Sequence, residues 1–188
     1  MAITWPNILT WETRPLDSVA ADLLEASQGL RQAYEDGETA LNAVQSQGGA
    51  VTAMRETTTS NLASLERALT NVNGSLMAIE AARDGVGEVL AQINSALTTA
   101  AEGQCTIEAD GSVHPNESVE DIPEAHLIAE ALADAVKKIL EYADRVDTDL
   151  YHALADINND RYTDGDGADN KVVGVPDFPQ PNWSPSQN

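Results

Sequence analysis

The sequence predicts an all-α protein: an elongated antiparallel bundle of three long helices with a small β-hairpin insert. Two observations indicate this class. Three long stretches repeat apolar or small residues at alternating steps of three and four, the spacing that places an apolar stripe on one face of a helix. Only 4% of the residues are aromatic, which favours layers of aliphatic side chains between helices over a thick globular core.

The longest of these stretches contains no proline, and we expect it to form a helix over residues 50–101. At ~1.5 Å per residue such a helix is a rod of roughly 70 Å, which needs partner helices to bury its apolar stripe. The residues of its stripe are Val51, Met54, Thr58, Leu62, Leu65, Leu69, Val72, Leu76, Ile79, Val86, Leu90, Ile93 and Leu97.

The first long helix is predicted over residues 15–46. Pro15 and Asp17 are start signals, because proline suits the first helical turn and acids interact favourably with the helix dipole there. The adjacent Gly48 and Gly49 form a short link to the longest helix, so the two helices must fold back on each other as an antiparallel hairpin. The stripe of this first helix comprises Leu16, Val19, Leu23, Ala26, Leu30, Ala33, Leu41 and Val44.

A non-helical insert follows at about residues 105–114. Two short runs flank Asp110 and Gly111, a dipeptide that favours a tight β-hairpin turn. The third long helix is predicted over residues 121–158. Its stripe comprises Ile128, Leu132, Ala135, Ile139, Tyr142, Val146, Leu150, Leu154 and Ile157.

These elements predict a helical domain over residues 1–160 and a tail or linker over residues 161–188. The tail is acidic and glycine-rich at first and proline-rich afterwards, a composition typical of extended or disordered segments. Near the other end of the chain, Trp5 and Trp11 are expected to cover apolar helix ends.

The charge balance excludes several kinds of partner. There are 31 acidic and 10 basic residues, for a net charge of −21, whereas nucleic acids and anionic membranes require a basic surface. The first residues lack a basic segment and a continuous apolar run, so we expect neither a conventional secretory signal nor membrane insertion. Cys105 is the one cysteine, which excludes an intramolecular disulfide and a cysteine zinc site.

No catalytic motif is present, so neither an enzyme nor a cofactor is expected. One candidate for a calcium site consists of oxygen side chains at alternate positions, the spacing at which ligands converge on this cation. Arg161 stands where such a loop needs glycine, and Gly167 stands where it needs glutamate, so a solvated acidic tail is the competing interpretation. The candidate ligands are Asp156, Asn158, Asp160, Asp164 and Asp166.

The stretch VQSQGGA at residues 44–50 resembles the hairpin turn of the WXG-motif (Esx-like) superfamily, with Gln47 at the position of the tryptophan. In the larger actinobacterial members, which are exported by type VII secretion, a small hairpin insert, another helix and a linker to a toxin or hydrolase domain follow. The insert from Thr106 to Val113 and the last predicted helix follow the same order. The resemblance covers roughly residues 5–160 and makes Gln47, Gly48 and Gly49 the candidate turn motif.

The resemblance implies a non-catalytic targeting and protein-pairing module for type VII (ESX) secretion, the N-terminal part of a larger secreted effector. The implied partners are a small Esx-like helical protein and the secretion ATPase. The family's export signal is Tyr-x-x-x-Asp/Glu after a helical hairpin. Tyr162 to Asp166 matches it in that place, whereas Tyr34 to Glu38 matches it inside the first helix. The protein would be cytoplasmic before export and secreted or at the cell surface afterwards.

Two other functions remain open from the residues alone. One is a structural coiled-coil protein that acts in assembly or at the cell surface, and the other is a calcium-binding regulatory or adhesion module. Because the three helices can bury one another's stripes, we expect a monomer or a heterodimer rather than a homo-oligomer.

Overall fold

The computed structural model describes residues 3–158 of the 188-residue chain. Helices account for 79% of these residues, which confirms the mainly helical class, and the small antiparallel β-hairpin is confirmed as well. The predicted tail at residues 161–188 lies outside the described residues. The elements are α1 (Trp5–Ile8), α2 (Arg14–Ala43), α3 (Gly49–Glu102), β1 (Cys105–Ile107), β2 (Val113–Pro115) and α4 (Pro123–Asn158).

The helix boundaries differ from the predicted ones mainly at the end of α2 and at the start of α4. Helix α2 ends at Ala43, three residues before the predicted end, and α4 begins at Pro123, two residues after the predicted start. Two successive turns precede α4: the Val119 N–H donates to the Asn116 carbonyl and the Ile122 N–H donates to the Val119 carbonyl, both at 2.9 Å. Pro123 suits the first position of a helix and disfavours the helical conformation at the preceding Ile122, so α4 begins at the proline.

The β-hairpin pairs Thr106 with His114 in an antiparallel register. Its turn has the predicted chemistry, because Gly111 has a φ of +85°, which glycine reaches without steric cost. Asp110 accepts hydrogen bonds at its Oδ1 from the Ser112 hydroxyl (2.7 Å) and the Ser112 N–H (2.9 Å). These hydrogen bonds to the carboxylate lower the pKa of Asp110.

The described residues pack into two compact units. Unit 1 combines residues 3–17 with residues 81–151, and unit 2 combines residues 18–80 with residues 152–158. Both α3 and α4 therefore contribute residues to each unit.

Unit 1 has a continuous apolar core. Trp5 and Ile8 of α1 are 3% and 0% exposed, and they pack with side chains of α3, the β-hairpin and α4. The remaining buried members of this cluster are Val89, Ile93, Ala96, Ala100, Cys105, Val113, Ala129, Leu132, Val136, Ile139 and Ala143.

The buried faces of the long helices differ from the predicted stripes. Leu97 and Ile128 were expected in the stripes but are 43% and 37% exposed, and Val19 and Met54 are each 42% exposed. The prediction is wrong at these four positions. Beside Val19, Leu97 and Ile128 the adjacent alanine is buried instead, whereas no residue from 49 to 61, around Met54, is buried. The buried alanines of α3 and α4 are Ala78, Ala82, Ala96, Ala100, Ala125, Ala129, Ala143 and Ala153.

In unit 1, α3 and α4 approach each other closely in opposite directions. A Cβ placed on Gly85 would lie 2.7 Å from Cγ2 of Val146, and one placed on Gly103 would lie 2.6 Å from Cγ2 of Ile128. Rising residue numbers on α3 thus face falling numbers on α4, which makes this pair antiparallel. Val146 has a stiff β-branched side chain that cannot move aside easily, so Gly85 is required for the close approach.

In unit 2, a buried polar contact joins α2 to α3. Ser27 is 5% exposed, and its hydroxyl donates to Oδ1 of Asn73 at 2.7 Å. Ten residues further along α2, Gly37 lies against Leu62, so these two helices also run antiparallel. A buried hydrogen-bonded pair favours the one register in which both partners are satisfied. This contact gives Asn73, a weak helix former, a structural role.

We predict opposite effects of alanine at two glycines of α3. Gly87→Ala should raise the free energy of unfolding by up to about 1 kcal/mol, because alanine is the better helix former and nothing lies within 4 Å of its new Cβ. Gly85→Ala should be about 1–3 kcal/mol less stable than Gly87→Ala, because its Cβ clashes with Val146. Urea unfolding followed by circular dichroism measures both values. Equal stability of the two variants would contradict the close approach at Gly85.

Candidate protein-interaction surface

The link between α2 and α3 carries the candidate turn motif. Gln47 is exposed, Gly48 has a φ of +138° and Gly49 is the first residue of α3. The Gly48 carbonyl accepts hydrogen bonds from the N–H of Thr52 at 3.0 Å and from its hydroxyl at 3.2 Å. The Gln47 side chain is therefore exposed to solvent, and the Gly48 carbonyl accepts a backbone hydrogen bond at the start of α3.

Arg55 closes this turn from the α3 side. Its guanidinium donates a hydrogen bond to the carbonyl of Val44, the first residue after α2. A carbonyl at the end of a helix has no partner within the helix, so the arginine satisfies a group that would otherwise depend on solvent. Sequence reasoning missed Arg55. The sequence signal that could have identified it is an arginine within two helical turns of the short link between α2 and α3.

The two matches to the export signal lie in different parts of the chain, and only the first is within the described residues. Tyr34 and Glu38 lie inside α2, where Tyr34 is half-buried and Glu38 is exposed. The Glu38 carboxylate is the largest influence that raises the pKa of Tyr34. Tyr162 and Asp166 lie outside the described residues.

The calcium candidates are only partly described. Asp156 and Asn158 are in the last turn of α4, whereas Asp160, Asp164 and Asp166 lie outside the described range. Residues two apart in a helix point to different sides, so Asp156 and Asn158 could face one cation only if this turn unwound. Within residues 3–158 no group of three or more His, Cys, Asp or Glu side chains is arranged to hold a metal ion.

One feature of unit 1 that could receive a partner is a groove between α3 and α4, with a volume of about 470 Å³. Only residues of these two helices line it, and we call it the α3–α4 groove. Its lining residues are Gln92, Ser95, Ala96, Thr99, Ile128, Ala131, Leu132, Ala135, Lys138 and Ile139.

The α3–α4 groove is shallow and apolar at its base. Leu132 and Ile139 are 3% and 4% exposed and belong to the unit 1 core, whereas the small Ala131 and Ser95 on the two walls are exposed. At one end Leu127 is 65% exposed, although burial of a leucine is worth about 1.5–3 kcal/mol. From Ile128 to Ile139 the α4 wall is ~16 Å long, about three helical turns.

Carboxylates surround this apolar base. On α3, Glu88 and Glu102 continue the three-and-four row of Gln92, Ser95 and Thr99, so they lie at the two ends of one groove wall. Glu88 accepts a hydrogen bond at its Oε1 from the Gln92 side-chain amide at 3.2 Å.

On the α4 side, Glu124 and Asp134 are exposed on or next to the corresponding row. The one basic residue of the lining, Lys138, has its Nζ 2.7 Å from Oδ2 of Asp134. The pKa of Asp134 is lowered by its hydrogen bond and ion pair with Lys138, and the pKa of Lys138 is raised by the same contact. The rim as a whole is acidic.

Sequence reasoning did not predict the groove. It placed Ile128 and Ala135 in the α4 stripe but gave no role to Ser95, Thr99 and Ala131. The signal that could have found the groove is the small size of these residues next to the apolar stripe, since small side chains on facing helix edges leave space between the helices.

A second groove, of about 440 Å³, lies between residues 10–16 and the α3 and α4 segments of unit 1. Val86 and Leu150 contribute apolar lining to it, and Glu12 and Asp147 contribute carboxylates.

Among the helices of the described part of the chain, none combines the length and hydropathy needed to cross a membrane.

No protein-family model matches this sequence, and comparisons with curated proteins and with solved structures gave no significant match.

The turn predicts a second pair of alanine effects. Gly48→Ala should lower the free energy of unfolding by about 1–2 kcal/mol, because a φ of +138° is strained for any residue with a Cβ. Gly49→Ala should be neutral or stabilising by up to about 1 kcal/mol, since its φ is ordinary and its Cβ meets nothing within 4 Å. Chemical denaturation measures both variants, and equal losses in the two would contradict a special backbone at Gly48.

Proposed function

We propose that this chain is a non-catalytic targeting and protein-pairing module for type VII (ESX) secretion, the N-terminal part of a larger secreted effector. The observation that carries the proposal is the order of elements: a helical hairpin turned at Gly48 and Gly49, a β-hairpin, and a further long helix. This is the order found in the extended WXG-like proteins that the sequence resembles.

The helical hairpin supports the proposal through its contacts. Ser27 and Asn73 join α2 to α3 in unit 2, and Arg55 joins α3 to the end of α2. We infer that the long helices form an antiparallel bundle, with the β-hairpin against it. The exposed Gln47 replaces the family's tryptophan, so recognition at this turn would depend on a polar side chain.

In this proposal the described residues serve recognition rather than catalysis. Cys105 is buried, with its thiol 3.4 Å from the Gly103 carbonyl and 3.9 Å from the Ala125 carbonyl, so it serves packing in unit 1. One partner in this proposal is a small Esx-like helical protein, which pairs with the module. The other is the secretion ATPase, which binds the segment containing Tyr162 and Asp166. The protein would leave the cytoplasm without a conventional signal peptide and act outside the cell or at its surface.

We predict that export depends on the second Tyr-x-x-x-acid match and not on the first. Tyr162→Ala and Asp166→Ala should each reduce the exported fraction at least about tenfold in an actinobacterial host with a type VII system, because they remove the recognised side chains. Glu38→Ala is the matched control, since it alters the equivalent acid of the match inside α2. Quantitative immunoblots of cell and culture-filtrate fractions measure export. Unchanged export of both tail variants would contradict this part of the proposal.

The oligomeric state separates this proposal from a structural coiled-coil protein. We expect the purified chain to sediment as a monomer of 20.0 kDa, because a net charge of −21 disfavours self-association. Sedimentation velocity at several protein concentrations measures this mass. A stable homo-oligomer would instead support an assembly function.

A further inference from the structure

We propose that the α3–α4 groove binds a basic amphipathic helix of the partner protein. The inference rests on the proposed pairing function and names the surface and the chemistry of its partner. The binding segment would present small and aliphatic side chains on one face and lysine or arginine on either side of that face.

The shape of the groove favours a helix. Both walls are helical, and its base is formed by Ala96, Leu132 and Ile139. A third helix can lay its ridges into such a groove, and short side chains on the walls allow its axis to come close. The three-turn length of the α4 wall fits a segment with anchors at i, i+3, i+4 and i+7. The exposed Leu127 and Ile128 extend the apolar contact at one end.

The charge of the rim favours a basic partner. Glu88 and Glu102 flank the α3 wall, Glu124 lies at one end of the α4 wall, and Lys138 is held by Asp134. The wider surface has the same sign, since residues 81–151 carry 15 acidic and four basic residues. Cationic side chains beside the apolar face of a partner helix would meet carboxylates on both walls, which favours association and selects against acidic helices.

The same charges disfavour a second copy of this chain as the occupant. Each copy carries a net charge of −21, so two copies would bring like charges together at the rim. A small apolar ligand fits less well than a helix, because the groove is open along the helices and polar groups do not converge at its base.

The test uses the full chain and two designed, end-capped helical peptides. Both peptides carry alanine and leucine on one face; the first has lysine on both sides of that face, and the second has glutamate at the same positions. Fluorescence anisotropy should show that the lysine peptide binds at least about tenfold more tightly, with an affinity that falls as salt rises. Equal affinity for the two peptides, or no binding of the lysine peptide, would overturn the proposal.

Variants then test where the peptide binds. Ala131→Trp fills the groove from an exposed position and should weaken binding of the lysine peptide at least about tenfold, because the indole occupies the space of the incoming helix. Ala63→Trp is the matched control, an exposed alanine of α3 in unit 2, and should leave binding unchanged. Glu102→Lys combined with Glu124→Lys should shift the preference towards the glutamate peptide.

Binding that is insensitive to Ala131→Trp would overturn the assignment to this groove. Self-association of the chain that Ala131→Trp abolishes would assign the groove to a second copy and would overturn it as well. The export experiment alters Tyr162 and Asp166 and leaves every groove residue intact, so the proposed function and this inference can fail separately.

Discussion

Close packing of small side chains between α3 and α4 is the constraint on which unit 1 depends. Gly85 leaves room for Val146, and buried alanines lie among the larger aliphatic residues on both helices. Because small side chains bury little apolar area each, Trp5 and Ile8 of α1 and the β-hairpin add apolar area to what the larger residues of α3 and α4 bury. The short first helix and the insert are thus parts of the core.

The same constraint creates the candidate interaction surface. Where α3 and α4 are joined by small residues, their outer edges leave a shallow apolar groove instead of a filled ridge. On the same two helices, Leu97, Leu127 and Ile128 keep 43%, 65% and 37% of their surface exposed. A strongly acidic protein can tolerate such a surface, because its net charge opposes non-specific association while the apolar base remains accessible to a partner of opposite charge.

Polar contacts have a different role in the two units. In unit 2 the Ser27–Asn73 hydrogen bond lies inside the contact between α2 and α3, where it favours one register. In unit 1 the polar contacts lie at the edge of the helix pair, as in the 3.5 Å hydrogen bond from the Tyr142 hydroxyl to Oε2 of Glu88. Partial burial, followed by the Glu88 carboxylate, raises the pKa of Tyr142 above that of an ordinary phenol.

The sequence by itself determined the helical class, the site of the link at Gly48 and Gly49, and the hairpin turn at Asp110 and Gly111. These features follow from local physics: periodicity, proline, and the conformational freedom of glycine. The secretion signal at Tyr162 and the calcium ligands stay predictions, since most of these residues lie outside the described range. Only the tertiary structure decided which face of each helix is buried, because alanine and leucine fit a periodic stripe equally well. In unit 1, Gly85 allows α3 and α4 to approach closely, and Leu97 and Ile128 remain exposed beside buried alanines.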